Sequence, residues 1–447
     1  MSLVIDIASL DDQSRSEIKK RCIIKPAKTR YNDDPDPAIC FAVCGPTAYV
    51  PLGVWRYFFD TFPQRTYPKT NITTDKLLYD IDTDPKGYRD QKTVFAQAIK
   101  RLKEDHTVFI AASCGYGKTT IGLKLCVELK LKFAVLCHID KVKEQWIDEF
   151  KENSTARVQW VKKKLDPSMD GYVIGVQKAA TLPREALKDI GVLIFDEAHI
   201  AIVTAFTKSL LRFQPRYVIG LSATPKRSDG LHKLLYMYFG PKKGFIVRQE
   251  VKDFTVVKVE TPYKPEIRYT MVRGVSTLDW IHVINTIAYN GYRQRDAVNL
   301  VLAHPEQRIM ILSARKEECK AVHQMLIDED QSSLLLIGNT KKRPEGYRVL
   351  VAGTKKAGVG FDDPTLTMMI LMADCKNVEQ FEGRIRTSNN IIYDFVDDFR
   401  PFENHWKLRS AWYEKRGATI EVRPRDDSCI GEERGLSKQR FLAPNTD

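Results

Sequence analysis

The chain has 447 residues, 43% of them hydrophobic, and its 70 Lys and Arg outnumber 57 Asp and Glu to give a formal charge of +13. With a mean hydropathy of −0.32, this balance fits a soluble globular protein of two to four domains and excludes a membrane-embedded one. A basic excess of this size also fits a partner that carries phosphates.

In chain order, the opening MSLVIDIASLDDQSRS has no basic stretch followed by an apolar one, so no secretory signal is expected and the setting is expected to be cytoplasmic. Residues 1–86 are set apart by seven prolines from Pro26 to Pro68 and by the aromatic residues Tyr49, Trp55, Tyr57, Phe58, Phe59, Phe62 and Tyr67. They predict a small accessory domain whose rings form a core or, less commonly, stack on unpaired bases. Over 87–240, apolar runs at 108–112, 133–137, 172–176, 192–195 and 217–221 alternate with amphipathic helical stretches such as 141–150. That alternation predicts a parallel sheet with helices on its faces. Pro241, Gly244 and Pro262 mark the stretch 239–263 as connector and edge structure. The pattern then repeats over 241–400, with runs at 308–313, 333–337, 348–352, 366–372 and 391–396 and a helix over 317–327. Residues 401–447 read as a weakly structured or peripheral extension. Nine scattered cysteines include no Cys-x2-Cys pair, and Cys40 and Cys44 lack partners at zinc spacing, so no metal cluster is expected.

Two motifs carry chemistry. ASCGYGKTT, Ala112 to Thr120, follows the first apolar run and precedes a helix-like stretch. A strand feeding a tight glycine loop into a helix gathers backbone N–H groups around one point, which is a phosphate site. Ser113, Cys114, Gly115, Tyr116, Gly117, Lys118, Thr119 and Thr120 would line it. Lys118 would reach the outer phosphates of a nucleoside triphosphate and the Thr119 hydroxyl would sit on Mg²⁺. VLIFDEAH, Val192 to His199, reads as a buried strand whose end delivers Asp196 and Glu197. Asp196 is placed to hold the Mg²⁺ shell, and Glu197 to polarise the attacking water as general base. Each motif alone matches by chance; the two in this order at strand ends point to ATP hydrolysis.

The ordered set resembles a superfamily 2 helicase of the Asp-Glu-Ala-His type over roughly 87–397. The resemblance implies an α/β fold of two tandem RecA-like domains behind the N-terminal module, with ATP and Mg²⁺ held between the RecA-like domains. In GYRDQ, Gln91 sits where the family reads adenine, although Arg89 is only two residues before it. AVLCHIDKVKEQWIDEF resembles motif Ia and the stretch 172–179 the next element, which implies nucleic-acid contacts from His138 and Gln177. GLSATPKRSDG resembles motif III, in which Ser222 and Thr224 couple phosphate state to domain position. Its continuation is similar to that of XPB-like, phage and large-DNA-virus helicases. His199 would bridge the two motifs; a metal-ligand role is less common without a neighbouring ligand.

RIMILSARKEEC resembles motif IV and RVLVAGTKKAGVGFD motif V, implying Thr354, Lys355 and Lys356 on nucleic acid and Gly360 and Asp362 toward nucleotide. EQFEGRIR resembles motif VI, with Gln380, Gly383 and Arg384 in place and the second arginine, Arg386, one position early. One residue turns a helical side chain by about 100°, so the γ-phosphate finger is Arg384, Arg386 or both. Lys162 to Lys164 read as a solvated run. Relatives that carry a strand-separating hairpin between motifs V and VI have more room there than 366–377 offers.

The expected activity is an ATP- and Mg²⁺-dependent DNA helicase or translocase, working as a monomer on forked or branched DNA in replication or recombination. If the chain is phage or viral, the setting becomes the host cytoplasm. Alternatives are a transcript-release or RNA-directed helicase, the motor of a restriction system, and an ATP-gated nucleic-acid clamp that separates no strands. The resemblance implies 3′-to-5′ movement.

Overall fold

The computed structural model describes residues 2–26, 35–84, 89–113, 115–198, 210–223, 233–248, 253–272, 274–338, 346–357, 363, 365–376, 378–383, 385 and 390–425. The chain forms two compact units, Met1–Glu250 and Val251–Asp447, each built on its own seven-stranded sheet.

The first unit opens with β1 (Ser2–Asp6), β2 (Ile23–Ile24), β3 (Ala38–Ile39), β4 (Ala42–Cys44) and β5 (Thr47–Pro51). Strands β1, β5 and β4 make a small antiparallel sheet in that order. The main sheet follows: β6 (Thr107–Ala112), β7 (Phe133–Cys137), β8 (Val158–Val161), β9 (Gly171–Gly175), β10 (Val192–Phe195), β11 (Tyr217–Ser222) and β12 (Ile246–Arg248). Their order is β12-β6-β11-β10-β7-β9-β8 and every pairing is parallel. Strands β6, β7, β9 and β10 are buried along their whole length, because a parallel sheet is covered on both faces. The two-residue period of a strand sorts their side chains. Phe109, Leu136, Ile174, Leu193 and Phe195 enter one core; Ile110, Val135, Val173 and Ile194 enter the other.

The N-terminal segment does not stand apart. Cys22, Ile24, Ala38, Leu52 and Val54 lie in the same core as Phe109 and Phe195, while Leu3, Ile18, Val50 and Trp55 form a smaller one. The Ser2 N–H donates to Phe213 O at 2.8 Å and the Trp55 indole to Asp105 O at 3.0 Å. Phe62 stacks on His106 with centroids 3.5 Å apart. Most of the aromatic residues thus serve as packing, and Tyr57, exposed beneath the Arg21 guanidinium, is the exception.

The second unit contains β13 (Phe254–Thr261), the hairpin β14 (Tyr269–Val272) and β15 (Val275–Leu278), then β16 (Ile309–Ser313), β17 (Ser333–Leu336), β18 (Val349–Gly353), β19 (Met368–Leu371), β20 (Asn390–Asp397) and β21 (Ala418–Arg423). Its sheet runs β17-β18-β16-β19-β20-β13-β21, again parallel throughout.

Three sequence expectations are corrected. The first sheet extends past 240, since β12 pairs with β6. The stretch 239–263, read as connector and edge structure, does hold the edge strand β12 and the break between the units after Glu250, but it also holds β13, flanked on both sides by β20 and β21. The extension from 401 is integral through Arg423, because the helix Arg400–Lys415 buries Phe402, Trp406 and Tyr413 and leads into β21.

Candidate functional site

In an open α/β sheet the C-terminal ends of the strands carry the ligand site, and the first unit gathers its motif residues there. After β6 the chain passes through Ser113, Gly115, Tyr116 and Gly117 into the helix Lys118–Leu129. Gly115 and Gly117 have φ of 83° and 91°, a region that glycine enters without steric cost. A Cβ at Gly117 would also lie 2.1 Å from Gln91 Nε2. No side chain caps the helix N-terminus, so its first-turn N–H groups are available to an anion. The Lys118 ammonium donates to the carbonyls of Ala112 and Ser113 at 2.9 and 3.1 Å, which holds it over the loop.

Asp196 ends β10 and is buried. The Trp146 indole donates to its Oδ2 at 2.7 Å and the Glu197 N–H to its Oδ1 at 2.9 Å. Burial, then the Glu197 charge beside it, push its carboxyl up to about 6; the Trp146 bond and the Lys118 charge act in the opposite direction. Lys118 and Asp196 therefore feel each other across β11, which lies between β6 and β10. Glu197 has φ of 48°, a left-handed conformation that costs a residue with a Cβ about 1–2 kcal/mol and is typical of functional strand ends. Ser222, fully buried, closes β11 in register with Ala111.

Thr119 is half-buried in the first helical turn, and the Thr120 hydroxyl donates to Glu149 Oε1 at 2.9 Å. Gln91 is buried beneath the loop: its Oε1 accepts the Tyr79 N–H at 3.1 Å and its Nε2 donates to Tyr116 O at 2.7 Å. Its carboxamide is thus engaged in shaping the loop, a positioning role beside the adenine-reading one expected. The Tyr116 hydroxyl accepts the Asp90 N–H at 3.1 Å, and burial raises its phenol above the ordinary range.

His138 and Gln177 come together at the ends of β7 and β9, with Gln177 Nε2 3.3 Å from His138 Nδ1. In the second unit, Thr354, Lys355 and Lys356 lie in the short helix Thr354–Ala357 directly after β18. Gln380 lies in the turn Glu379–Glu382. Cys114, His199, Thr224, Gly360, Asp362, Arg384 and Arg386 lie outside the described residues.

Sequence reasoning missed Trp146 and Glu149. Both lie on the helix Asp140–Asn153, whose apolar positions read as core; Trp146 is core and also the indole that holds Asp196. No local sequence signal marks that bond, which spans 50 residues; in the fold, a Cβ at Gly122 would meet the Trp146 ring at 2.6 Å. Also missed was the clamp of Arg89 on Asp84, at 2.7 Å, beneath Tyr79.

The donor set suits a hard cation with nucleotide phosphates. Thr119 and Asp196 offer oxygen, and among the described residues no cluster of three or more His, Cys, Asp or Glu is placed to cage a metal. Mg²⁺ commonly takes one or two protein oxygens, phosphates and water rather than a protein cage. Asp196, buried and next to a second carboxylate, is a group that a cation would relieve.

Residues 85–227 match the family described as type III restriction enzyme, res subunit. The chain is 30% identical over 458 residues to the protein named "Putative helicase 161L" of Invertebrate iridescent virus 6, covering 94% of this chain and 99% of that one. It is 26% identical over 370 residues to the protein named "DNA 3'-5' translocase XPB2" of Sulfurisphaera tokodaii, covering 70% and 80%. Among solved structures, S. cerevisiae Dbp5, titled as bound to RNA and ADP BeF3, superposes with a TM-score of 0.54 at 14% identity, over 76% of this chain and 92% of that one. That likeness concerns the fold alone. No helix of the described residues is long and apolar enough to cross a membrane.

Proposed function

Because this chain belongs to the superfamily 2 helicases, in the branch shared by viral and phage helicases and XPB-like translocases, we propose that it is an ATP-dependent DNA helicase or translocase acting on forked or branched DNA. The observation that carries the reading is the convergence of the Lys118 loop with Asp196 and Glu197 at the ends of β6 and β10. The family binds ATP, and the residues here divide its hydrolysis among them. The helix N-terminus and Lys118 hold the phosphates; Glu197 accepts a proton from the attacking water. Thr119 and Asp196 would hold Mg²⁺, which supplies charge neutralisation on the phosphates. By the resemblance of EQFEGRIR to motif VI, Arg384, Arg386 or both would add positive charge to the transition state. Ser222, at the end of the strand between the two motifs, is the described residue best placed to pass phosphate state onward.

His138, Gln177 and the Thr354–Lys356 turn would bind the nucleic-acid backbone at strand ends of the two units. DNA accords with the name of the translocase relative, whereas the mimivirus relative is named an ATP-dependent RNA helicase; a monomer is part of the same reading. Branched DNA and a role in replication or recombination are the finest parts of the reading.

The test is ATP turnover by wild type and Lys118→Ala with no nucleic acid, single strands, duplex, forked and four-way DNA, and RNA, with strand displacement scored in parallel. Stimulation and displacement on branched DNA, both lost in the variant, support the reading. Stimulation by RNA alone moves it to an RNA-directed helicase, and DNA-stimulated turnover without displacement to a translocase or clamp. Turnover indifferent to every nucleic acid would sink it.

A further inference from the structure

The helix Arg400–Lys415 buries a stripe in which arginine stands where a core helix carries apolar residues. Phe402, Trp406, Arg409 and Tyr413 are its buried positions, spaced four, three and four apart, which is one helical face. Arg416, the C-cap residue, extends the stripe by three and is 1% exposed. Apolar residues of similar size often replace a buried ion pair at no loss of stability, so stability alone does not account for these arginines. What a guanidinium supplies and an apolar side chain cannot is direction, because its planar fork fixes the orientation of the group it holds.

Both arginines hold one stretch of chain, the stretch that follows β19 and carries EQFEGRIR. At its start, Arg409 Nη1 donates to Cys375 O at 2.7 Å and to Asp374 Oδ1 at 3.3 Å. One turn earlier on the helix, His405 Nδ1 lies 2.6 Å from Asp374 Oδ2. Further along, Arg416 donates from Nε and Nη2 to the two carboxylate oxygens of Glu382 at 3.1 and 3.3 Å, and Glu382 is 3% exposed. Val378, Phe381 and Ile385 pack into the core that holds Trp406 and Tyr413. The Ile385 carbonyl accepts from Asn390, which opens β20, at 3.2 Å. In sequence, Glu382 precedes Arg384 by two residues and Arg386 by four.

We infer that Arg416, acting through Glu382, is a positioning residue for ATP hydrolysis: the two-pronged pair fixes the segment that carries Arg384 and Arg386, so that those arginines reach the transition state. The inference rests on the proposed motor and on the role given there to Arg384 and Arg386. It gives the chain past residue 400 a part in the chemistry. Misplacing a charged group by about 1 Å can cost as much as 10²-fold in rate, so a rigid hold two residues from Arg384 has a measurable consequence. Arg409 holds the start of the same segment but also Asp394, which makes Arg416 the cleaner probe.

The test uses the full chain and compares wild type with Arg416→Lys and with the double variant Glu382→Gln, Arg416→Met. Arg384→Ala, Arg386→Ala is made alone and combined with that double variant. ATP turnover is measured with single-stranded DNA and with RNA at saturation, beside KM for ATP and the thermal midpoint. The double variant removes both buried charges and should melt close to wild type. Its kcat should nevertheless fall by about 10–10²-fold with KM for ATP nearly unchanged, as expected when an interaction made only in the transition state is lost. Arg416→Lys keeps the charge and loses the fork, and its kcat should fall severalfold in the same way. Where Arg384 and Arg386 are already alanine, the double variant should lower kcat no further. Variants that melt and turn over like wild type make the pair a support of the fold alone and overturn the inference. So does a loss that appears in KM, or one of equal size with and without Arg384 and Arg386. If Arg384→Ala, Arg386→Ala keeps wild-type turnover, the role given to those arginines fails and the positioning role fails with it. If neither nucleic acid stimulates wild type, the motor reading fails, while basal ATP turnover of the same variants still decides the pair.

Discussion

The two units bury carboxylates on or beside the strands of their parallel sheets and surround them differently. In the second, Asp394 receives a two-pronged bond from Arg409 at 2.7 and 2.8 Å. Asp397 and Glu318 share Arg293 at 2.8 and 2.6 Å. Each of these arginines is buried with its acids, so every one of these carboxylates has a cation inside the fold, although burial still pushes Glu318, which shares Arg293, up to about 7. In the first unit Asp196 has a neutral indole, one backbone N–H and a second carboxylate as its nearest company. A buried charge completed from within is architecture; one left to be completed from outside is a site. Asp196 is the second kind, and Lys118, held on two carbonyls, is the cation closest to its account.

The largest expected effect follows from removing that cation. Lys118→Ala should lower ATP turnover by about 10²–10³-fold, the usual scale for one lost electrostatic donor, with the unfolding midpoint little changed. Steady-state turnover and thermal melts on the same preparation check both halves. The matching change in the second unit should do the reverse. Arg409→Met leaves Asp394 buried and unbalanced, at a cost of about 3–5 kcal/mol, measurable by denaturant unfolding. A second substitution, Asp394→Leu, should recover much of it.

Most of this contrast was open to sequence in the first unit and closed in the second. The phosphate loop and the Asp-Glu pair are local: each is a short run at a strand end, and the runs β6, β7 and β10 are apolar enough to read as buried strands. Arg293, Glu318 and Asp397 come from three separated segments, and nothing in their neighbours marks them as a cluster. Strand β13 was hidden for a different reason. Its alternation, FTVVKVET, was outweighed by the prolines and glycine around it, although its position between β20 and β21 makes it central. Trp146 was legible as core and illegible as a partner of Asp196, because the bond spans 50 residues. Gln91 was found for its place in a motif, and the fold gives it the Tyr116 carbonyl to hold.

A subtler change sharpens the comparison. Trp146→Phe removes the indole donor while keeping a ring in the core, so the Asp196 carboxyl should rise further above about 6. The acid limb of the pH–rate profile for turnover should then move to higher pH, with turnover near pH 8 close to wild type. An unmoved limb would separate Trp146 from the chemistry and return it to packing alone.

The smallest effect is on pH-dependent stability. Asp196 has its carboxyl raised from the ordinary 3.8 to about 6, so the stabilising protonated form is fully present below the ordinary value and lost as pH rises through about 6. On the proposed function, a Mg²⁺–nucleotide complex would replace that proton at higher pH. The gain in melting temperature from adding it should therefore be larger at pH 7.5 than at pH 5.5, which thermal melts at fixed ligand excess will read. His106 gives an opposite slope within the same unit: burial against Phe62 pushes its imidazole down to about 4, so its contribution is present above about 6.5 and lost as pH falls through about 4.

The most direct measurement is Asp196→Asn, assayed at pH 7.5 for Mg²⁺-dependent ATP turnover and, without nucleotide, for its melting temperature. The neutral amide removes the like-charge pair with Glu197 but can accept only one of the two bonds that Asp196 accepts, from the Trp146 indole and the Glu197 N–H, at a cost of about 1–3 kcal/mol that offsets a relief of about 3 kcal/mol. The ligand-free variant should therefore melt no lower than wild type, while turnover falls by about 10²-fold or more. A variant that melts clearly lower and still turns over ATP would contradict the claim that Asp196 is a buried charge waiting for a cation from outside.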